Sequence, residues 1–529
     1  MKLHFKNNLF TLQCYVSDNQ LPKMAGFTYR VDDRVWVTPF AANALKVSPA
    51  CIVSEEAKQA FAKAKSRRAL SCATSISNPK ISEVRGKRLY PYQSAGVEFL
   101  LDTPRAFLAD EMGLGKTVQA ICLCNLVNPK KILVICPASL KINWAREWAA
   151  WSTIDANPFI INYDILKKNF ERIHSTKWDV LILDECHYLK NKEAKRTQCV
   201  VGEKKLGKFV SPSIDAGRVI ALSGTPIVNR PIEIFPVLSY LLPHAFTNSF
   251  EFAKRYCNAQ RNRWGWDFKG ASNLEELQTN LRQTVMLRRL KRDVLKDLPS
   301  KIRQVIEIDP DTSTRKLLVK EKKFLGAEFL DDLPIHKEKL TEKDFKAIVK
   351  RLKGSAESFS HLASTRKAIG LSKLGAAVEH ISECLESGKV VVFCYHRALA
   401  EALFETFADI AVMVIGKTLQ KDRDFAVTSF QADSTKTLFI GNIQAAGVGL
   451  TLTAASQVIF LEQDWVPGNV TQAEDRCHRI GTKNSVLIQH LVLAGSLDAY
   501  IAKTVIAKQD KIDKAIEIDQ EEIIKRMLE

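Results

Sequence analysis

The sequence predicts an α/β protein with two parallel-sheet lobes, helical insertions and a small β-containing module at the N-terminus. Short β-rich apolar runs alternate with helical segments from about residue 86, and the same alternation returns after residue 388. Strands separated by helices are typical of parallel sheets. The 529 residues are enough for roughly three or four folding units, each with its own core.

The N-terminal module covers residues 1–80. Within it, two strand-like pieces in residues 26–37 flank the turn at Asp32 and Asp33. Residues 1–85 contain 13 basic and 6 acidic residues, a net charge of +7. This charge fits a module that contacts phosphates, and it fits a basic, solvated accessory domain equally well.

The first lobe is predicted over residues 86–305 and the second over residues 371–529. Residues 306–370 carry charges at helical spacing with few β-branched runs, which predicts a helical linker or insertion. The second lobe ends in a predicted helix that contains Ile501, Val505, Ile506, Ile512 and Ile516. The apolar runs assigned to strands are 106–109, 132–136, 180–183 and 219–222 in the first lobe, and 390–394, 412–415, 437–440, 458–461 and 486–492 in the second.

The charge balance indicates a polyanionic partner. The net charge is +18 and the pI is about 9.3, although a generally basic surface would give the same values. The N-terminus lacks a continuous apolar signal region, and no stretch offers the 18 or so apolar residues of a membrane span. We therefore expect a soluble intracellular protein without a membrane partner, in the cytoplasm or nucleoid of a bacterium or virus-infected cell or in a eukaryotic nucleus.

A nucleotide phosphate site is predicted at residues 110–117, DEMGLGKT, between a strand and a helix. Gly113 and Gly115 let backbone N–H groups surround the β-phosphate, and the helix N-terminus adds positive charge. Lys116 reaches the β and γ oxygens, and the Thr117 hydroxyl can ligate Mg²⁺. Asp110 stands where the general P-loop pattern has glycine. ATP and Mg²⁺ are thus the expected cofactors.

Residues 184–187, DECH, supply the carboxylates that a P-loop enzyme requires. They follow an apolar strand, so Asp184 would hold the Mg²⁺ shell and Glu185 would orient or deprotonate the attacking water. His187 is expected to link hydrolysis to the other lobe. Ser223 and Thr225, at another strand end, are suited to sensing the γ-phosphate or the neighbouring lobe.

Arg476 and Arg479 in the second lobe are three residues apart, which predicts one face of a helix. Two guanidinium groups there could act as arginine fingers on a γ-phosphate bound by the first lobe. Hydrolysis would then require the cleft between the lobes to close, and each round of hydrolysis would move one lobe relative to the other.

These motifs resemble those of the SWI/SNF-type ATPases of helicase superfamily two. The resemblance covers nearly all of residues 86–510 and implies two RecA-like lobes. By that resemblance Gln93 would read adenine, Gly447 and Thr451 would lie where nucleotide meets nucleic acid, Gln472 would belong to the nucleotide site, and Asp110 is an ordinary family residue. The ordered motifs lie at 89–93, 110–117, 137–140 with Asn143 and Trp144, 184–187, 223–226, 286–291, 447–452 and 472–481.

A finer resemblance is to the annealing-helicase branch of that family. It rests on Tyr256 and Cys257 followed by residues 264–274, WGWDFKGASNL. Members of the branch move along DNA and rewind or remodel forks. Residues 26–36 are similar to the small substrate-recognition module that precedes the motor in that branch.

The nucleic-acid contacts are predicted from charge and from the motif positions. A basic cluster lies among only two acidic residues, so it either faces DNA phosphates or forms a solvated helix face. Trp144, Trp148 and Trp151 follow helical spacing, which favours core packing over base stacking. The candidate contacts are Ser139, Asn143, Arg288, Arg289, Lys291, Arg292 and Thr451, with Lys296, Lys301 and Arg303 in the same basic cluster.

The leading functional hypothesis is an ATP-dependent double-stranded DNA translocase that remodels or anneals forked or branched DNA in replication or repair. It would act as a monomer on double-stranded or forked DNA. Two alternatives remain open: a helicase that separates DNA or RNA strands, and a DNA-binding scaffold whose ATPase is silent. The presence of Lys116, Asp184, Glu185, Arg476 and Arg479 argues against the scaffold, because a silent site is free to lose them.

Overall fold

The chain forms two compact units, residues 1–296 and 297–529, in a computed structural model. The structure describes residues 1–14, 20–31, 33–205, 208–224, 230–262, 265–268, 270–295, 301–325, 356–446, 450–464, 467–479, 481–482 and 484–503. No helix among these residues is both long and apolar enough to cross a membrane.

The predicted N-terminal β module is confirmed as a five-stranded sheet. Its strands are β1 (Lys2–Lys6), β2 (Leu9–Gln13), β3 (Thr28–Arg30), β4 (Val35–Thr38) and β5 (Ile52–Val53), in the order β3-β4-β2-β1-β5. Alternate residues of β1 and β2, such as Leu3, Phe10 and Leu12, form its core. Its helices are α1 (Gln20–Ala25), α2 (Ala41–Val47) and α3 (Glu55–Cys72).

The N-terminal module packs onto the first lobe within one compact unit. The buried Ser71 hydroxyl on α3 donates to the Met286 carbonyl at 2.7 Å. Lys46 on α2 pairs with Glu276 at 2.9 Å. Phe40 belongs to the apolar core of the first lobe. The module thus shares core and polar contacts with the lobe.

The first lobe is built on a six-stranded parallel sheet. Its strands are β8 (Arg105–Leu108), β9 (Ile132–Cys136), β10 (Phe159–Asn162), β11 (Trp178–Leu183), β14 (Ala216–Leu222) and β17 (Met286–Leu287), in the order β10-β9-β11-β14-β8-β17. The four strands predicted from apolar runs are confirmed. β9 is buried along its whole length, as expected for a strand covered on both faces. Sequence analysis assigned no strand to β10 or β17, the two edge strands of this sheet.

Helices and small hairpins complete the first lobe. The hairpins pair β6 (Glu83–Val84) with β7 (Lys87–Arg88), β12 (Glu203–Lys205) with β13 (Lys208–Ser211), and β15 (Gln260–Asn262) with β16 (Gly265–Asp267). The helices are α4 (Pro91–Asp102), α5 (Lys116–Val127), α6 (Lys141–Trp151), α7 (Phe170–His174), α8 (Lys195–Val201), α9 (Phe235–Leu241), α10 (Ser249–Tyr256), α11 (Leu274–Arg282) and α12 (Lys291–Val294).

The second unit holds another six-stranded parallel sheet, in the order β18-β23-β22-β19-β21-β20. The five predicted strands are confirmed. The predicted domain boundary after residue 305 is wrong, because β18 pairs along its whole length with β23 of this sheet. The strands are β18 (Lys301–Ile308), β19 (Val390–Cys394), β20 (Ala411–Val414), β21 (Leu438–Asn442), β22 (Gln457–Phe460) and β23 (Val486–Leu493).

The predicted linker is helical over residues 312–325 and 356–370, whereas its first three residues, 306–308, belong to β18. Residues 326–355 of that linker lie outside the described residues, and so do residues 504–529, which hold most of the predicted C-terminal helix. The helices of this unit are α13 (Thr312–Leu325), α14 (Ala356–Ser372), α15 (Leu374–Glu386), α16 (Arg397–Thr406), α17 (Gln420–Ala432), α18 (Ile443–Ala446) and α19 (Pro467–Glu474).

A buried carboxyl on α13 makes the stability of the second unit depend on pH. Glu321 is 2% exposed and accepts a hydrogen bond from the Leu497 N–H at 3.0 Å. Burial, reinforced by the charge of Asp498, raises the pKa of Glu321 from 4.5 to about 7. The folded state therefore keeps a proton that the unfolded state releases, and stability falls as pH rises from about 4.5 to 7.

We expect Glu321→Gln to remove this penalty. The amide oxygen can still accept the Leu497 N–H, and a pKa difference of this size corresponds to at most about 3 kcal/mol. The variant should unfold at a higher temperature than the wild type at pH 8, with a smaller difference at pH 5. Calorimetry at both pH values measures this, and an equal effect at the two pH values would contradict the assignment.

Candidate nucleotide site

The P-loop connects the end of β8 to the start of α5. Gly113 and Gly115 have φ angles of 84° and 72°, which glycine adopts without the strain that a Cβ would cause. Lys116 Nζ donates to the carbonyls of Asp110 at 2.8 Å and Glu111 at 3.1 Å. Burial lowers the pKa of Lys116, and the nearby Glu185, Asp110 and Asp184 carboxylates oppose that shift. The ammonium group thus lies within the glycine loop.

Asp110 anchors the P-loop through a buried ion pair with Arg289. Arg289 is 2% exposed and Asp110 is fully buried, with Nε 3.0 Å from Oδ1 and Nη2 2.5 Å from Oδ2. Arg289 also donates to Gln119 Oε1 on α5 at 2.9 Å and to the Tyr92 carbonyl on α4. The prediction that Arg289 contacts DNA or lies on a solvated face is therefore wrong, because Arg289 is buried and its charge is paired with Asp110.

Gln93 lies on α4 directly against the P-loop. Its Nε2 donates to the Leu114 carbonyl at 3.3 Å, and its Oε1 accepts the Tyr90 N–H at 3.0 Å. The side chain is 4% exposed. The structure thus places the residue that was expected to read adenine next to the phosphate loop. An adenine contact by Gln93 stays a prediction.

Asp184 and Glu185 follow β11 at the carboxyl end of the sheet. Asp184 Oδ2 accepts the Trp144 indole N–H at 2.8 Å, and Oδ1 accepts the Glu185 N–H at 2.9 Å. Burial, together with the Glu185 charge, raises the pKa of Asp184 to about 6, although the Trp144 hydrogen bond and Lys116 oppose this. Glu185 has a φ of 48°, a strained conformation for a residue with a Cβ.

His187 joins the carboxylate pair to the end of β14. Its Nδ1 lies 3.2 Å from Glu185 Oε2 and 3.4 Å from the Ser223 hydroxyl. Gly224 follows Ser223 and approaches the P-loop so closely that a Cβ there would lie 3.3 Å from Lys116 Nζ. The structure thus brings His187 and Ser223 together beside the nucleotide site. Thr225 lies outside the described residues.

The residues present fit a bound Mg²⁺. The Asp184 carboxylate and the Thr117 hydroxyl at the start of α5 supply hard oxygen ligands, which Mg²⁺ prefers together with water and phosphate oxygens. Both Asp184 oxygens are already fixed by N–H donors, so the carboxylate is held in one orientation. Bound Mg²⁺ would neutralise the charge of the nucleotide phosphates.

In the second unit, the helical placement of the two arginines is wrong. Helix α19 ends at Glu474, and residues 475–479 form turns, so Arg476 and Arg479 do not share a helix face. Glu474, the last residue of α19, is buried and forms an ion pair with Arg303 at 2.7 Å. Arg479 Nη1 donates to the Thr451 hydroxyl at 3.0 Å, which brings those two candidate residues together. Gly447 lies outside the described residues.

Gln472 is 8% exposed and lies near the end of α19, four residues before Arg476. Lys301 and Arg303 on β18, which were candidates for the DNA face, both contact Glu474, at 3.1 Å and 2.7 Å. Burial by itself would raise the pKa of Glu474, but the charges of Lys301 and Arg303 outweigh it and lower this pKa to about 2. Lys301 and Arg303 therefore serve an internal ion cluster, and their assignment to a DNA-facing surface is wrong.

The remaining predicted DNA contacts divide into buried and exposed residues. Arg288 donates to the Ala109 carbonyl at 3.0 Å and Lys291 is 4% exposed, so neither belongs to an open basic surface. Arg292 is exposed, and Ser139 and Asn143 are partly exposed at the start of α6. Arg292, Ser139 and Asn143 therefore stay candidates for contacts with DNA. Lys296 lies outside the described residues.

Sequence analysis missed the polar role of Trp144. Trp144 and Trp148 are buried, as the helical spacing predicts, but the indole N–H of Trp144 also holds the Asp184 carboxylate. Apolar periodicity reports burial and carries no information on hydrogen bonds. Gln119, which donates to Asp110 Oδ2 at 3.1 Å, was missed for the same reason.

Two family models match the chain. The SNF2-related domain matches residues 92–157 and 153–370, and the helicase conserved C-terminal domain matches residues 372–481. These matches cover both the P-loop region and the segment that contains Arg476 and Arg479.

Curated relatives match most of the chain. The SWI/SNF-related matrix-associated actin-dependent regulator of chromatin subfamily A-like protein 1 of Xenopus tropicalis is 34% identical over 79% of this chain and 44% of its own length. Its Caenorhabditis elegans homolog is 31% identical over 94% of this chain and 71% of its own length. The DNA annealing helicase and endonuclease ZRANB3 of Mus musculus is 34% identical over 81% of this chain and 41% of its own length.

The chain thus spans less than half the length of the Xenopus tropicalis and Mus musculus relatives. Among solved structures, the Sulfolobus solfataricus SWI2/SNF2 ATPase core in complex with dsDNA aligns at 22% identity over 82% of this chain and 94% of that chain. The TM-score of this alignment is 0.37.

Proposed function

Because the chain belongs to the SNF2-related family of helicase-like ATPases, we propose that it is an ATP-dependent double-stranded DNA translocase that remodels or anneals forked or branched DNA. The observation that carries this proposal is the assembled site of the first unit. Lys116 lies in the glycine loop, and Asp184, Glu185 and His187 stand next to it with mutually supporting contacts.

The proposed roles follow from that geometry. Lys116 binds the β- and γ-phosphates, Asp184 and Thr117 hold Mg²⁺, and Glu185 orients the attacking water. His187 and Ser223 link this site to the rest of the motor. Arg476 and Arg479 stabilise the transferring phosphate from the second unit, as arginine fingers do in other NTPases.

The proposed DNA contacts are those candidates that remain partly exposed: Ser139, Asn143 and Arg292 in the first unit, and Thr451 in the second. Contacts with the phosphate backbone suit an enzyme that travels over any sequence. The annealing part of the proposal is supported by the similarity to ZRANB3 of Mus musculus, which is a DNA annealing helicase and endonuclease.

Steady-state ATP hydrolysis tests the proposal. The rate is measured with no nucleic acid, then with single-stranded, duplex and forked DNA and with duplex RNA, all at one salt concentration because phosphate contacts are salt-sensitive. We expect duplex or forked DNA to stimulate hydrolysis most. The Lys116→Ala variant under the same conditions controls for contaminating ATPases.

A second assay follows labelled strands of the forked DNA. We expect ATP-dependent annealing of complementary strands rather than their separation. Separation of the strands would favour a helicase, and preferential stimulation by duplex RNA would favour an RNA substrate. Absence of hydrolysis with every nucleic acid would indicate a silent scaffold, and each of these results would overturn the proposed function.

A further inference from the structure

One face of helix α6 contacts Asp184, the carboxylate proposed to hold Mg²⁺, and another face is exposed to solvent. Trp144 is fully buried, and its indole Nε1 lies 2.8 Å from Asp184 Oδ2. The preceding residue, Asn143, is partly exposed on the same helical turn, and Ser139 is partly exposed just before the helix. Helix α6 and the turn that precedes it therefore connect two candidate DNA contacts to the residue proposed to bind Mg²⁺.

The Trp144 hydrogen bond restricts the orientation of Asp184. One oxygen of the carboxylate accepts the Trp144 indole N–H, and the other accepts the Glu185 backbone N–H. Each oxygen still has a second lone pair with which it can bind a cation or water. Donors to a metal-binding carboxylate orient it, and their loss typically lowers metal affinity or activity by about 10–100-fold.

We propose that Trp144 is a positioning residue through which DNA bound at α6 controls the placement of Asp184. A DNA phosphate at Asn143 and Ser139 shifts or stiffens the helix, and the indole N–H transmits this displacement to the carboxylate 40 residues further along the chain. ATP hydrolysis then becomes fast only when DNA is present. This inference rests on the proposed function, because it requires DNA to stimulate hydrolysis.

The alternative role of Trp144 is packing alone, and Trp148 provides the matched control. Trp148 lies one turn later on α6 and is 4% exposed. Replacing either tryptophan with phenylalanine removes a buried indole from the same helix, but only Trp144→Phe removes a donor to Asp184. A packing role therefore predicts similar defects in the two variants, whereas a positioning role predicts a defect in Trp144→Phe alone.

The test compares Trp144→Phe, Trp148→Phe and the wild-type chain in three measurements. DNA affinity is measured by fluorescence anisotropy, ATP hydrolysis is measured with and without duplex DNA, and Mn²⁺ binding in the presence of a non-hydrolysable ATP analogue is measured by electron paramagnetic resonance. For Trp144→Phe we expect DNA affinity within twofold of wild type, at least about a tenfold loss of DNA stimulation, and about tenfold weaker Mn²⁺ binding. Trp148→Phe should match wild type in all three.

The proposal is overturned if Trp144→Phe keeps full DNA stimulation or full Mn²⁺ affinity, or if Trp148→Phe loses as much as Trp144→Phe. Failure of the proposed function looks different: the wild-type chain itself shows no stimulation by DNA, while the Mn²⁺ titration still tests the contact between Trp144 and Asp184. If Trp144→Phe does not fold, β-(3-benzothienyl)alanine at the same position keeps the ring size and removes only the N–H donor. The same three measurements on that variant then test whether the N–H donor positions Asp184.

Discussion

Replacing Glu185 with Gln is expected to stop ATP turnover while ATP still binds. The carboxylate follows β11, with its Oε2 3.2 Å from His187 Nδ1, where it can orient or deprotonate water. An amide of the same size can keep the contact with His187 but cannot take up a proton. General-base catalysis contributes about 10²–10⁴-fold to a rate, so hydrolysis should fall at least about a hundredfold.

The measurements for Glu185→Gln are steady-state hydrolysis and the binding of a fluorescent ATP analogue. Binding should stay within a few-fold of wild type, because Lys116 and the glycine loop are unchanged. Lys116→Ala is the comparison variant: it should abolish hydrolysis and leave DNA binding largely intact. Loss of nucleotide binding in Glu185→Gln would count against its role with water, and normal turnover in Lys116→Ala would remove the P-loop assignment.

The second large effect is expected from Arg289→Met. The substitution leaves the Asp110 carboxylate buried without its cationic partner, because both side chains are at most 2% exposed. Removing one partner of a buried ion pair typically costs about 3–5 kcal/mol. The substitution also removes the contacts of Arg289 with the Tyr92 carbonyl on α4 and with Gln119 on α5, so we expect weaker ATP binding together with lower stability.

Urea denaturation followed by tryptophan fluorescence measures this loss. Seven of the eight tryptophans lie in residues 1–296, so the signal reports mainly the unit that contains Arg289. Lys58→Met is the control, since it removes an exposed ion pair with Glu55 in the same unit. Exposed pairs contribute roughly 0–1 kcal/mol. Equal urea midpoints for the two variants would show that the buried pair does not stabilise the unit.

The strands that sequence analysis found are those with continuous apolar runs, such as β9 and β19, where every residue is buried. Among the strands that it missed, β17 and β18 lack that signal, whereas β10 carries apolar residues at 159–161 and was overlooked. β17 has only two residues, too few for any periodicity. β18 alternates charged and apolar residues along a sheet edge, so its lysine and arginine were assigned to a basic surface and the domain boundary was placed too late.

The sequence alone determined the parts of the site whose residues are close together in the chain. The glycine loop with Lys116 and Thr117, and the strand that ends at Asp184 and Glu185, need only local backbone geometry to become a phosphate and Mg²⁺ site. The alternation of strands and helices was likewise sufficient to predict two parallel sheets.

Only the tertiary structure decided which charged residues lie inside. Arg289 and Asp110 are 179 residues apart in the chain, and Lys301 and Glu474 are 173 residues apart. A charge is buried only where the fold supplies an opposite charge and hydrogen bonds, because desolvation is otherwise too costly. Local composition cannot reveal such a partner. Arg289, Lys301 and Arg303 were therefore assigned to one basic surface, although the fold places them in two internal ion clusters.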